Sequence, residues 1–156
     1  MYERSDVQQY LASRVARPSS AGVILENIQG EALVLKANYK SYWSFPGGWA
    51  EDEQTPPEAA VRELIEECGI VRAVEDLDFI RVINRKSDIM QTYQFIFRAR
   101  TPYNESEVLK LQPEEIDASK FVSKKSVRDT PSAYGWAVVL WAQDDPRGYA
   151  EQRLES

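Results

Sequence analysis

The stretch from Phe45 to Ile70, FPGGWAEDEQTPPEAAVRELIEECGI, constrains the fold of this chain more than any other part of it. Thr55 suits an N-cap, Glu58 three residues later completes a capping box, and Pro56 suits the first helical position. Gly69 is able to take the left-handed conformation that ends a helix. The pattern therefore predicts a helix from about Pro56 to Cys68. At about 100° per residue, Val61, Leu64, Ile65 and Cys68 share one side, which is expected to pack on a sheet. Glu63, Glu66 and Glu67 fall nearly opposite, as a narrow acidic stripe. Like charges three and four apart on a helix repel by roughly 0.2–0.5 kcal/mol per pair. A sequence shaped for stability alone would tend to put lysine at one of them. Two readings remain open at this point: a solvated helix face, or carboxylates gathered for a hard divalent cation with oxygen ligands.

The rest of the composition narrows the chemistry. The chain has 156 residues and no histidine, and Cys68 is its single cysteine. Histidine-based triads, histidine general bases and histidine or cysteine-rich metal sites are excluded together. Catalysis, if present, rests on carboxylates, Lys, Tyr, Ser or a hard metal ion. The net charge of −6 gives no footprint for long nucleic acids. No apolar run approaches the ~18–20 residues of a membrane span, and MYERSDVQQY lacks a signal-peptide pattern. The expectation is a cytoplasmic protein with no membrane partner. The length suits one domain over 1–156, with 1–18 as an N-terminal helical extension and 127–156 as a C-terminal helix and tail.

Along the chain, Ser5 is positioned to cap a short first helix. AGVILE and ALVLKA around NIQG read as a β-hairpin, and YWSF as a short strand ended by Pro46-Gly47-Gly48. LDFIRVINR and QTYQFIFRAR read as strands; Ile96 among the polar positions of the second implies that both its faces are covered. YNESEVLKLQPEEIDAS reads mostly as loop and KFVS as a short strand. Thr130-Pro131 opens a terminal helix through SAYGWAVVLWAQ, and the last residues read as frayed. Strands on both sides of a central helix imply an α/β domain.

The segment Gly48–Ile70, GWAEDEQTPPEAAVRELIEECGI, resembles the box of the Nudix hydrolase family, G-x5-E-x7-R-E-U-x-E-E-x-G-U with U apolar. Gly48, Arg62-Glu63, Leu64, Glu66-Glu67 and Gly69-Ile70 match, which is eight of the nine defined positions over 23 residues. The preceding FPG is also usual for the family. Gln54 stands where the family has its first glutamate; an amide replaces some hydrogen bonds there and not the charge. The resemblance implies a Nudix-type α/β/α sandwich with a mixed central sheet.

It also implies a metal-dependent hydrolase of a nucleoside diphosphate linked to another moiety, with Mg²⁺ or Mn²⁺ as cofactor. Such ions bridge phosphate oxygens and lower the pKa of a water that attacks phosphorus. By position, Glu63, Glu66, Glu67 and the carbonyl of Gly47 are the expected metal ligands. Arg62 is expected to orient a carboxylate, with a surface ion pair to Glu58 as the alternative. The general base is expected in LQPEEIDASKFV, as Glu115 or else Glu114. Tyr42, Trp43 and Trp49, in an aromatic cluster with Tyr39, are candidates to stack on a base or sugar or to form core. Signatures for ADP-ribose, dinucleoside polyphosphate, coenzyme A and NADH substrates are absent. Nucleoside triphosphates and nucleotide sugars remain, as small-molecule substrates. Gln54 keeps a non-catalytic nucleotide-binding or regulatory domain as the alternative. Many relatives are homodimers, and Tyr134, Trp136 and Trp141 suit either an interface or core.

Overall fold

Strand β1 (Ser19–Ile24) divides its side chains between two cores, and the rest of the fold is built on its two faces. Successive strand residues point to opposite faces. Ala21 and Val23 enter one apolar cluster, while Ile24 enters the other. The computed structural model describes residues 1–155. After helix α1 (Arg4–Ala12) and β1 come β2 (Ala32–Ala37), β3 (Gly47–Trp49), helix α2 (Pro56–Cys68), β4 (Leu77–Lys86) and β5 (Gln91–Ala99). Then follow β6 (Ile116–Val122), α3 (Lys124–Asp129), α4 (Trp136–Ala142) and β7 (Tyr149–Arg153).

The central sheet has the order β3–β1–β5–β4–β7. It is mixed: β1 runs parallel to β5 and β4 parallel to β7, while β3 and β5 are antiparallel to β1 and β4 respectively. Helix α2 packs on one face, with Ala60, Leu64 and Cys68 against Val23, Leu25 and Phe97. Helix α4 covers the other, with Val138 and Trp141 among Ile24, Ile83 and Ile96. Ile96 is buried on the face opposite Phe97, as its place in the sequence implies. The result is an α/β/α sandwich. A second sheet pairs β2 with β6. No helix among the described residues is long and apolar enough to cross a membrane.

Helix α2 has the expected bounds. The Thr55 N–H donates to the Glu58 carboxylate at 3.2 Å, and Gly69 ends the helix at φ 70°. Its buried face, however, is turned from the expected one. Ile65 is 44% exposed, Val61 is half-buried, and Glu67 is only 5% exposed. The apolar row that fits the sheet is Ala60, Leu64 and Cys68, one i, i+4 ridge, and Glu67 lies beside it.

Other local expectations are also corrected. The Asn27–Gly30 turn forms, with the Gly30 N–H donating to the Asn27 carbonyl at 3.0 Å. The segments around it pair as a short hairpin, Glu26 with Ala32 and the Leu33 N–H donating to the Leu25 carbonyl at 2.9 Å, and only beyond that diverge, β1 to the central sheet and β2 to β6. YWSF forms only isolated bridges, Ser44 to Leu35 and Trp43 to Tyr134, and the strand is Gly47–Trp49 itself. IDAS belongs to β6 rather than to a loop. The terminal helix is broken: α3, capped by Ser123, and one 3-10 turn (Pro131–Ala133) precede α4, which starts after Gly135. Residues expected to fray form β7, completed by pairing with β4. Helix α1 begins before Ser5, with Glu3 at the N-cap, and buries none of its residues. Trp141 is core, at 3% exposure.

One buried cation fixes the long loop that returns to the site. The Arg72 guanidinium donates to both oxygens of Glu107, at 2.6 and 3.0 Å, and to the carbonyls of Thr101, Pro102 and Val71. This clamp pins residues 101–107, from which the chain runs back along the end of α2. The Lys110 N–H donates to the Cys68 carbonyl and that of Gln112 to the Glu67 carbonyl. Removing one partner of a buried, charge-assisted pair leaves the other without compensation. Arg72→Leu is therefore expected to lower unfolding free energy by about 3 kcal/mol in urea titrations; a loss below about 0.5 kcal/mol, the usual size for a surface change, would show that the clamp does not hold the loop.

Candidate active site

Glu67 points from α2 toward β3, and its Oε2 accepts from the Gly47 N–H at 2.9 Å. No Lys or Arg side chain lies within ion-pair distance of it among the described residues. Burial raises its pKa from the ordinary 4.5 to about 8; the Gly47 bond and Lys40 act against this, while Glu63 and Glu115 add to it. Glu63 is also raised, first by burial, with Arg62 opposing and Glu66 adding. Glu66, one residue before Glu67, has a side chain 50% exposed. The acidic stripe is thus graded from buried to open.

Two glycines make this approach possible. A Cβ on Gly47 would sit 2.7 Å from the Gly22 Cα, and one on Gly48 would sit 2.6 Å from the Glu63 Cδ. Real Cβ atoms do not come so close, so β3 is able to lie between β1 and the glutamates only because it lacks side chains there. The signal is legible in FPGG, since a Gly pair at a strand marks close backbone approach.

Arg62 ties the open side together. Its guanidinium meets Glu63 at 2.9 Å and Glu66 at 2.8 Å, approaches Glu51 at 3.6 Å, and donates to the Trp49 carbonyl at 2.9 Å. Glu58 is occupied by the helix cap, which removes the alternative Arg62–Glu58 pair. Gln54 has a defined place: its Oε1 accepts from Arg62 Nε at 3.3 Å and from the Glu51 N–H at 3.1 Å.

Arg62 and the glutamates 51, 63, 66 and 67 line a cleft of about 520 Å³, with Gln112, Tyr39 and Trp49. Glu115 reaches it, because its carbonyl accepts from the Asn38 N–H at 2.9 Å and its own N–H donates to Gln112. Glu114 does not line the cleft, although its carbonyl accepts from Asn38 Nδ2. Burial and the charges of Glu67, Glu115 and Glu63 raise the Tyr39 phenol above its ordinary pKa. Of the expected aromatic contacts, Trp49 lies in the cleft and is 54% exposed. Tyr42 lines a separate hollow. Trp43 lines neither; it packs at the edge of the second core, with Lys120 Nζ 4.3 Å above its ring. Glu51 and Gln112 were not singled out by sequence, and only the folded loops bring them here.

Among the described residues no three carboxylates are gathered in a metal-holding arrangement. Arg62 draws Glu63 and Glu66 to itself, and the Gly47 N–H holds Glu67. The donors are nonetheless all oxygen, and the buried Glu67 carboxylate, with Glu63 and Glu115 near, makes no ion pair among the described residues. That donor set fits a hard divalent ion.

A family model described as the NUDIX domain matches residues 16–139. A stretch of 54 residues is 44% identical to the 8-oxo-dGTP diphosphatase of Proteus vulgaris, covering 33% of this chain and 48% of that protein. Over 72 residues the chain is 38% identical to the RNA pyrophosphohydrolase of Hydrogenovibrio crunogenus, covering 46% and 40% respectively. The matched stretches thus span less than half of these relatives. The crystal structure of the MutT protein from Methanosarcina mazei is similar in fold, with a TM-score of 0.69 at 19% identity over 84% of this chain and 95% of that one. The Nudix domain of Shewanella oneidensis NrtR, solved with ADP ribose, has a TM-score of 0.68 at 14% identity over 93% and 98%. With the box in α2 and β3, and a family match over most of its length, the chain belongs to the Nudix family.

Proposed function

We propose that this chain is a single-domain cytoplasmic hydrolase of nucleoside diphosphates linked to another moiety, with nucleoside triphosphates and nucleotide sugars as substrates. The observation that carries the reading is Glu67: a carboxylate buried at the wall of an acidic cleft, in an ion pair with no side chain among the described residues and with only Lys40 acting on it from beyond ion-pair distance. Such a group costs stability unless something positive is meant to sit beside it. The names of the two relatives, a diphosphatase and a pyrophosphohydrolase, support the same class of reaction.

Glu63, Glu66, Glu67 and the Gly47 carbonyl are the residues that would hold Mg²⁺ or Mn²⁺. When bound, the cation supplies Lewis acidity and neutralises phosphate charge. The chain's own residues do the rest. Arg62 holds Glu63 and Glu66 in position. Gln54 in turn fixes Arg62 through its amide. Glu115, on the loop that Arg72 anchors, takes the proton from water as general base. Trp49 offers an exposed ring for a sugar or base.

A second reading, a nucleotide-binding domain without turnover, has one observation in its favour. Gln54 puts a neutral amide at the cleft rim, where the family has a carboxylate, and so removes one negative charge.

Phosphate and pyrophosphate release from nucleoside triphosphates and nucleotide sugars separates the two. Release is expected only with Mg²⁺ or Mn²⁺ and is expected to fall at least ~100-fold in Glu67→Gln, the order of loss when a key electrostatic group is removed. Folded protein that binds nucleotide with metal and turns over none of the panel would establish the second reading.

The same glutamate has a signature in the metal-free protein. Its folded pKa lies above the unfolded value, so the native state holds the proton longer than the unfolded chain does. Stability is therefore expected to fall as pH rises from about 4.5 to about 8, by about 5 kcal/mol. In Glu67→Gln that slope should flatten, and Tm at pH 8 without metal should exceed that of the natural sequence. Parallel Tm-against-pH curves for the two proteins would show that Glu67 is solvated.

A further inference from the structure

Helix α2 packs over β1 and β3 and reaches β5, which leaves the rest of that sheet face without a helix. Cross-strand pairing places Phe79 opposite Phe97, Val82 opposite Phe95, and Tyr149 opposite Val82, so these side chains share the α2 face of β4, β5 and β7. Phe97 is buried in the α2 core. Phe79, its ring 5.9 Å from that of Phe97, is 55% exposed, Tyr149 is 49% exposed, and Val82 and Phe95 are only half-buried. On the opposite face the same strands are covered, with Ile83 and Ala150 buried in the α4 core. A helix is about 10 Å wide and strands lie about 4.8 Å apart, so one helix covers two or three strands. On the α2 side, β4 and β7 lack a layer.

The chain also has one helix without a sheet. Among the α-helices of the described residues, α1 alone buries no side chain. Val7, Tyr10 and Leu11 lie at i, i+3 and i+4, on one side of it, and all three are exposed. Its N-cap residue, Glu3, makes no side-chain cap bond. A nine-residue helix that packs on nothing is marginal in water, so α1 needs an apolar partner to persist. Residues 13–18 join it to β1, whose Ser19 pairs with Tyr93, and such a link spans at most ~20 Å. Helix α1 is thus tethered next to β5, at the border of the bare half-sheet, and does not lie on it.

We propose that α1 of a second copy of this chain covers the bare half-sheet of β4, β5 and β7, and that the exchange is reciprocal in a two-fold dimer. The chain carries both surfaces and satisfies neither within one copy; a two-fold axis brings each to the other twice. The charges agree. Residues 1–18 hold Arg4, Arg14 and Arg17 against Glu3 and Asp6, while the whole chain carries −6, so a basic segment meets an acidic body. Glu151, which accepts from the Tyr149 hydroxyl at 2.9 Å, puts a carboxylate at the rim of the bare face. The area agrees as well. Fully covering a Phe or Tyr removes about 150–250 Å² from water. The exposed parts of Phe79, Tyr149, Tyr2, Val7, Tyr10 and Leu11 in two copies come to on the order of 1,200 Å², where specific interfaces begin.

The test is sedimentation velocity of the full chain from about 1 to 100 μM, a span that brackets a micromolar Kd. A concentration-dependent dimer is expected. Leu11→Glu should raise its Kd at least ~10-fold, the cost of losing one buried leucine at an interface. Since α1 packs on nothing within its own chain, Tm of that variant at the lowest concentration should equal that of the natural sequence. Phe79→Ser should weaken the dimer in the same way from the other side. A mixture of Leu11→Cys and Phe79→Cys copies should form a disulfide between chains on mild oxidation; Cys68 is buried and does not compete. A monomer at the highest concentration overturns the proposal. So does a dimer that survives Leu11→Glu, which would lie on another surface. A disulfide that forms only when both cysteines are in one chain also overturns it, because α1 then covers its own sheet. None of these outcomes touches the hydrolase reading, which phosphate release tests separately.

Discussion

The hydrogen bond from the Gly47 N–H to the Glu67 carboxylate is the contact on which the rest of the arrangement depends. It joins the shortest strand of the central sheet to the helix that carries the acidic residues. It also fixes a carboxylate at 5% exposure, where an unmodified glutamate would rather be neutral. Helix α2 cannot turn to expose Glu67 without pulling Leu64 and Cys68 from the core, since all three share one side of it. Apolar packing is thus what holds the carboxyl group in place against the cost of its burial.

Around that point the polar groups form a chain of dependence. Gln54 holds Arg62, Arg62 holds Glu63 and Glu66, and Gly48 leaves the space that Glu63 occupies. In the absence of a metal, the guanidinium provides the positive charge that these carboxylates lack. The departure of Gln54 from the family pattern acquires a structural meaning here: its amide oxygen does the positioning work of a carboxylate toward Arg62 and the Glu51 N–H, without adding charge to the cleft.

The far wall of the cleft comes from a long loop with little secondary structure of its own. Its order depends on Arg72, which gathers Glu107 and three backbone carbonyls at a point remote from the cleft. From there the chain returns along the end of α2 and delivers Gln112 and Glu115. The segment 39–49 separates this acidic cleft from the smaller hollow lined by Lys40, Tyr42 and Arg85.

Much of this was written locally in the chain. The bounds of α2 follow from Thr55, Glu58, Pro56 and Gly69, and the spacing from Gly48 to Ile70 identifies the family because each position acts within one strand and one helix. The alternation in β5, with Ile96 on the polar side, announces a sheet covered on both faces. What the sequence could not decide depends on contacts between distant segments. Whether Ile65 or Glu67 is buried depends on which ridge of α2 fits β1 and β5, a matter of packing rather than periodicity. Residues 149–153 look frayed alone and become a strand only because β4 offers them an edge. Gly135 divides what helix propensity alone would join. Glu115 rather than Glu114 enters the cleft, and the Arg85 Nε finds no acceptor among the described residues, because loop closure and sheet register set the direction of each side chain, and neither is encoded in the neighbouring residues.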